Sequence, residues 1–133
     1  MLNVEHIGIA VNSLSKSVPL FEKLLNCQCY KSETVESEQV NTAFFMQGNT
    51  KIELLESNTA DGVIAKFVEK KGEGMHHIAF EVADIYAEMQ RMKSEGFVLL
   101  NETPKPGADN KLVCFLHPKT TGGVLVELCQ EIK

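Results

Sequence analysis

The chain has 133 residues, 44% of them apolar, with a formal net charge of −5 and a sequence pI near 5.4. This length admits one domain with a full core, or two small halves sharing one. The acidic balance argues against a general nucleic-acid or anionic-membrane surface. No apolar run approaches the ~18 residues of a spanning helix. The N-terminus starts on a strand pattern with no basic-then-apolar leader, so a cytoplasmic protein is expected. Cys27, Cys29, Cys114 and Cys129 lie at no zinc-type spacing and read as reduced thiols.

Residues 3–11 alternate as a strand. In residues 12–26, NSLSKSVPLFEKLLN, the residues Leu14, Val18, Phe21, Leu24 and Leu25 fall on one helical face, with Ser13 or Ser15 as the cap. Pro19 is expected near the first turn, where few amide donors have partners. Strands are predicted over 27–35, 40–47 and 51–56, with turns at Glu36–Gln39 and at Gly48-Asn49. A connector follows. Asp61 is placed to cap a short helix through Val63, Ile64, Phe67 and Val68 that stops at Gly72. Strand 75–83 then leads into a helix capped by Asp84, with Ile85, Met89 and Met92 as its stripe and Gly96 as its stop. Strands near 97–101, 112–117 and 124–129 complete the order. The loop TPKPGADNK (103–111) is the longest irregular stretch and reads as a binding lip.

This order is β-α-β-β-β twice, and the letters repeat with it. Residues 4–11 read VEHIGIAV and residues 75–82 read MHHIAFEV, each placing a histidine, His6 and His77, at the head of an apolar run. Each half then delivers one glutamate late, Glu53 in KIELLE and Glu127 in VLVELC. The intervals nearly match, 47 residues from 6 to 53 and 50 from 77 to 127. The reading is therefore one domain over 1–133, built from a first module (1–58), a connector helix (59–74) and a second module (75–133). Two histidines and two glutamates around one axis form a ligand set for a divalent metal ion, with room for a substrate.

Alternation separates two faces on each leading strand. Ile7, Ile9 and Val11, and their counterparts Ile78, Phe80 and Val82, should pack against the helices. The opposite faces carry His6, Gly8 and Ala10, and His77, Ala79 and Glu81, where small residues beside each histidine leave space. Glu53 shares its face with Lys51 and Leu55, whereas Val126 and Leu128 point away from Glu127. A glutamate in so apolar a run costs several kcal/mol if buried unpaired, a cost that a cation or charged partner removes. By parity His76 falls on the other face, and His117 in FLHPK reads as a turn or substrate-lip residue.

At these residues the chain resembles the vicinal oxygen chelate superfamily (glyoxalase, bleomycin resistance protein and dioxygenase), and within it the methylmalonyl-CoA epimerases. The stretches that carry the resemblance are VEHIGIAV, GNTKIELLE, GEGMHHIAFEV followed by Asp84-Ile85, and VCFLHPKTTGGVLVELCQ. The resemblance implies an α+β fold, in which tandem βαβββ modules form a U-shaped, barrel-like mixed sheet around a metal. It places the metal ligands on His6, Glu53, His77 and Glu127. It also implies epimerisation of methylmalonyl-CoA by proton transfer through a metal-stabilised enolate, with Glu127 as a metal-linked acid/base; the pseudosymmetry of the repeat, not the resemblance, offers Glu53 as its opposite number. Some family members carry an additional catalytic glutamate at the position that here matches Thr42, and some carry glutamine at the position of Glu53. The implied cofactor is a divalent ion, Co²⁺ first, with Ni²⁺, Mn²⁺ or Zn²⁺ also compatible. The implied partners are an acyl-CoA, whose phosphates Lys105, Lys111 and Lys119 are placed to meet, and a second copy of the chain in a homodimer.

Of the other readings, a ring-cleaving dioxygenase with a two-His-one-carboxylate iron site ranks last, and two stand closer to this one. A glyoxalase I type lactoylglutathione lyase would share the metal, but glutathione recognition draws on arginines, and Arg91 is the single arginine, on the exposed side of the predicted helix capped by Asp84. A metal-free binding protein of the bleomycin-resistance type usually loses ligands and gains cavity aromatics, whereas here all four ligands stand and the chain has no Trp and two Tyr.

Overall fold

In a computed structural model that describes residues 1–132, the alternating N-terminal segment becomes strand β1 (Asn3–Ala10). It is followed by helix α1 (Leu14–Leu25) and strands β2 (Lys31–Val35), β3 (Val40–Gln47) and β4 (Thr50–Ser57). Helix α2 (Val63–Lys71) leads to strand β5 (Gly74–Glu81), helix α3 (Ile85–Ser94) and strands β6 (Lys105–Gly107), β7 (Lys111–Leu116) and β8 (Val126–Glu131). The fold class is α+β with βαβββ occurring twice, as expected from the sequence.

The described residues divide into two compact units. The first is His6–His76; the second begins at His77 and includes Met1–Glu5. In the first, the strand order is β2-β3-β4-β1, with β1 parallel to β4 and the other pairs antiparallel. Gly48 takes φ 60 in the two-residue turn between Gln47 and Thr50, a left-handed value that favours glycine. One side of this sheet carries Val11, Ala43, Phe45 and Leu54, which pack with Ile9 and with Leu14, Val18, Phe21 and Leu25 of α1. Fully burying each such large side chain contributes roughly 1.5–3 kcal/mol. Leu24 departs from the expected stripe: it is 69% exposed, because the packed face follows positions 14, 18, 21 and 25.

Three local details of the helix starts differ from expectation. Ser13 occupies the N-cap of α1 but makes no capping bond; its hydroxyl meets that of Ser15 at 2.8 Å. The amide of Leu14 instead donates to Glu56 Oε2 at 3.0 Å, so a β4 carboxylate sits at the positive end of the helix. Pro19 is the sixth helical residue rather than part of the first turn, so it removes the amide that would bond Ser15. Gly62, not Asp61, is the N-cap of α2. The predicted strand at 27–35 begins only at Lys31.

In the second unit the order is β5-β8-β7-β6, with β5 parallel to β8 and the other pairs antiparallel. Val82, Cys114, Leu116 and Leu128 pack against Ile85, Met89 and Met92 of α3. Asp84 caps this helix as expected, accepting from the amides of Tyr86 and Ala87. The strand expected near 97–101 does not form. Val98 and Leu100 are exposed, and the segment meets β7 at one bridge, Leu99 to Leu116. The third strand is β6, within the segment expected to be irregular, and Pro106 is accommodated because β6 ends the order β5-β8-β7-β6.

Candidate functional site

Register decides which side chains meet. In the first unit Gly8 lies directly opposite Glu53, and His6 lies opposite Lys51. Directly opposed residues project to the same side of a sheet. Gly8 therefore offers Glu53 no competing side chain, and the carboxylate reaches back to His6: Oε1 lies 3.2 Å from Nε2, with side-chain exposures of 4% and 8%. On the other flank Phe44, nearly wholly buried, opposes Glu53.

The second unit repeats the arrangement. Ala79 opposes Glu127 on one side and Phe115 opposes it on the other. Glu127 Oε1 lies 3.2 Å from His77 Nε2, again with both side chains below a tenth exposed. The Phe115 ring stands edge-on to the imidazole at 5.8 Å and 84°, which fixes the plane of the ring. Each unit thus holds a buried imidazole–carboxylate pair between a small residue and a phenylalanine. Such pairs supply nitrogen and oxygen donors of the kind that bind divalent transition ions, and neither glutamate is left unpaired in an apolar strand.

The neighbouring cysteines take no part in this donor set. Burial pushes the Cys114 thiol up to about 11, against an opposing hydrogen bond to the Asn101 carbonyl. Burial, and next the Glu127 carboxylate, raise Cys129 further. Both are protonated at neutral pH, whereas metal ligation and nucleophilic attack require the thiolate.

The other residues singled out from the sequence are more dispersed. Thr42 is fully buried on the same side of the sheet as Phe44, and its hydroxyl donates to the Glu33 carbonyl at 3.2 Å. Lys111 is buried, with its ammonium 3.9 Å from Glu5 Oε2, whereas Lys105 and Lys119 are exposed. His117 builds a turn: its Nδ1 accepts from the amide of Lys119 at 3.1 Å at the start of a 3₁₀ turn over Pro118–Thr120. Arg91 forms a surface pair with Glu88 at 3.0 Å, and that hydrogen bond holds the Glu88 carboxyl below its usual range.

Sequence reasoning missed Phe44 and Phe115, which oppose the two glutamates. The signal for Phe44 was available, because folding the chain about Gly48-Asn49 puts residue 44 opposite residue 53. His76, expected on the other face, packs edge-on against Phe67 of α2, centroids 4.9 Å apart.

The family model for the Glyoxalase/Bleomycin resistance protein/Dioxygenase superfamily matches residues 5–115. The uncharacterised protein YqjC of Bacillus subtilis (strain 168) is 42% identical over 130 residues, covering 98% of this chain and 93% of the relative. The mitochondrial methylmalonyl-CoA epimerase of Homo sapiens is 41% identical over 128 residues, covering 96% of this chain and 73% of the relative. A solved structure of a methylmalonyl-CoA epimerase in complex with methylmalonyl-CoA and NH₄⁺ superposes with a TM-score of 0.92 at 31% identity, covering 98% of this chain and 95% of that one.

Proposed function

Because the chain belongs to the Glyoxalase/Bleomycin resistance protein/Dioxygenase superfamily, we propose that it is a methylmalonyl-CoA epimerase that inverts the carbon between the carboxylate and the thioester. One observation carries the reading: a buried imidazole–carboxylate pair at 3.2 Å occurs in each half, in a chain closely similar to named epimerases. His6, Glu53, His77 and Glu127 together would hold one divalent cation, with cobalt the first choice and nickel, manganese or zinc also compatible with two imidazoles and two carboxylates. When bound, such an ion supplies positive charge to oxygens of the thioester and carboxylate, which makes the hydrogen on the intervening carbon more acidic.

The chain's own groups do the proton work. Inversion needs a proton removed on one face and delivered on the other. Glu127 is the acid/base on one face, and Glu53, its counterpart in the repeat, serves the other. Thr42 carries no ionisable group for this task, and its hydroxyl is engaged by the Glu33 carbonyl. Phe44 and Phe115, each opposite one glutamate, keep the flanks apolar and exclude water. Lys105 and Lys119 suit the CoA phosphates because they are exposed, while Lys111 is engaged by Glu5. Among the described residues no helix is long and apolar enough to cross a membrane.

The deciding experiment follows the α-hydrogen of methylmalonyl-CoA by NMR in D₂O, with and without cobalt. Cobalt-dependent loss of the signal in both epimers is expected. A cobalt-loaded protein that leaves the signal intact, or that instead turns over glutathione hemithioacetal, refutes the proposal. Size-exclusion chromatography with light scattering tests the proposed homodimer.

A further inference from the structure

We propose that Asn101 is a positioning residue for the buried pair of His77 and Glu127: its side-chain amide anchors Phe115, and Phe115 in turn holds the imidazole plane. The inference deepens the epimerase reading above and rests on it. Strand β7 outruns its outer neighbour. β6 pairs with Lys111, Leu112 and Val113 only, whereas β7 continues to Leu116. The segment near 97–101 partners this overhang without forming a ladder. Leu100 donates its amide to the Phe115 carbonyl at 2.8 Å. The Phe115 amide donates to Asn101 Oδ1 at 3.0 Å. A side chain thus does what the backbone of another strand would have done, and both polar groups of Phe115 are satisfied.

Asparagine suits this place because its short amide carries both an acceptor and a two-hydrogen donor. While Oδ1 takes the Phe115 amide, Nδ2 donates to the Thr103 carbonyl at 2.7 Å and to the Val113 carbonyl at 3.2 Å. Turning the amide over would set hydrogens against an N–H and an oxygen against two carbonyls, so one orientation alone satisfies all three partners. One half-buried side chain therefore pins β7 at both 113 and 115. Both backbone groups of Phe115 face away from β8. Phe115 and Glu127 are thus a non-hydrogen-bonded antiparallel pair, the kind in which opposed side chains lie closer. A shift of the Phe115 backbone is passed to its ring, which stands edge-on to the His77 imidazole at 5.8 Å. The same imidazole meets Glu127 at 3.2 Å. The whole route lies within the second unit. The plain alternative is that Asn101 only opens the 103–111 loop through its bond to Thr103, in which case it affects stability alone.

The test uses Asn101→Ala, Phe115→Leu and the double variant, with Asp84→Ala as a control that loosens a helix of the same half. Long-range proton–nitrogen NMR of the metal-free chains reads the His77 ring nitrogens, with His76 as internal reference. Cobalt-loaded chains are assayed on methylmalonyl-CoA. Asn101→Ala is expected to shift or broaden the His77 resonances, to leave those of His76 in place, and to lower kcat about tenfold at nearly unchanged KM, because small misplacements of a reacting group are costly. Phe115→Leu should do the same, and Asn101→Ala should add no further loss in the Phe115→Leu background. Asp84→Ala should lower Tm without either effect. His77 resonances untouched by Asn101→Ala overturn the proposal, as do losses of kcat that multiply in the double variant. A fall of kcat in Asp84→Ala that matches its fall in Tm assigns Asn101 a merely structural part and overturns it as well. If Asn101→Ala does not fold, Asn101→Ser, too short to reach all three partners, takes its place under the same criteria. If the unmodified chain shows no turnover, it is the epimerase reading that fails, and the positioning role stands or falls on the His77 resonances alone.

Discussion

Glu127→Gln separates chemistry from architecture. The carboxylate is almost wholly buried, with Oε1 3.2 Å from His77 Nε2. Glutamine keeps the volume and one oxygen, so the contact with the imidazole survives and the fold should lose no more than about 1 kcal/mol, the net worth of one hydrogen bond. In a chain of 133 residues this corresponds to a fall of about 4 °C in Tm. The amide takes up no proton, however. A positioned acid/base contributes about 10²–10⁴ in rate, which equals roughly 2.7–5.5 kcal/mol of barrier. Turnover at saturating cobalt should therefore fall a hundredfold or more while the melting curve barely moves. Glu127→Ala should abolish turnover outright. The assay couples epimerised product to a stereospecific consuming enzyme, with cobalt titrated separately. Activity of Glu127→Gln within tenfold of the unmodified chain, with cobalt bound, refutes the assignment.

If Glu53 serves the second face, Glu53→Gln should retain exchange of the α-hydrogen in D₂O for one epimer, through Glu127, while losing inversion; retained inversion, which the glutamine of some family members at this position would give, or equal loss of exchange from both epimers contradicts the two-sided assignment. Capping predicts a contrast in thermal or urea melts. Asp84→Ala should cost about 1 kcal/mol, since Asp84 accepts from two first-turn amides, whereas Ser13→Ala should be near neutral, because Glu56 holds the first amide of α1. Thiol labelling at pH 8 should modify the half-buried Cys27 and Cys29 first, with Cys114 and Cys129 reacting only on unfolding, because burial keeps both protonated; fast native labelling of all four would count against that burial.

Much of the site was legible because strands have a period of two. Parity alone set His6 and Gly8 apart from Ile9 and Val11, and the repeated interval to a late glutamate singled out Glu53 and Glu127; that each glutamate stands 3.2 Å from the histidine of its own half was not read from the sequence. What parity could not supply was partners distant in sequence. Lys111 looks like an ordinary surface lysine beside a loop, and nothing local announces Glu5 as its partner. The strand expected near 97–101 failed for a related reason. Its apolar letters suggest a ladder, but Val98 and Leu100 are exposed and β7 is paired by β6 instead. A proline argued against strand in 105–107, yet at the end of a strand order a missing amide costs little. Leu24 was misplaced because five apolar residues in one helix exceed what a single stripe can cover.

The opening five residues belong with the later half of the chain, where Leu2 donates to the Glu81 carbonyl at 2.8 Å and Glu5 neutralises buried Lys111. A gene cut at the seam of the repeat would strand that lysine without its counter-ion, a loss on the order of 3–5 kcal/mol for a buried charge. The two repeats are therefore not interchangeable parts. A circular permutant opened between residues 76 and 77 keeps those five residues covalently attached downstream of position 133, and should tolerate surgery that an isolated half-gene does not.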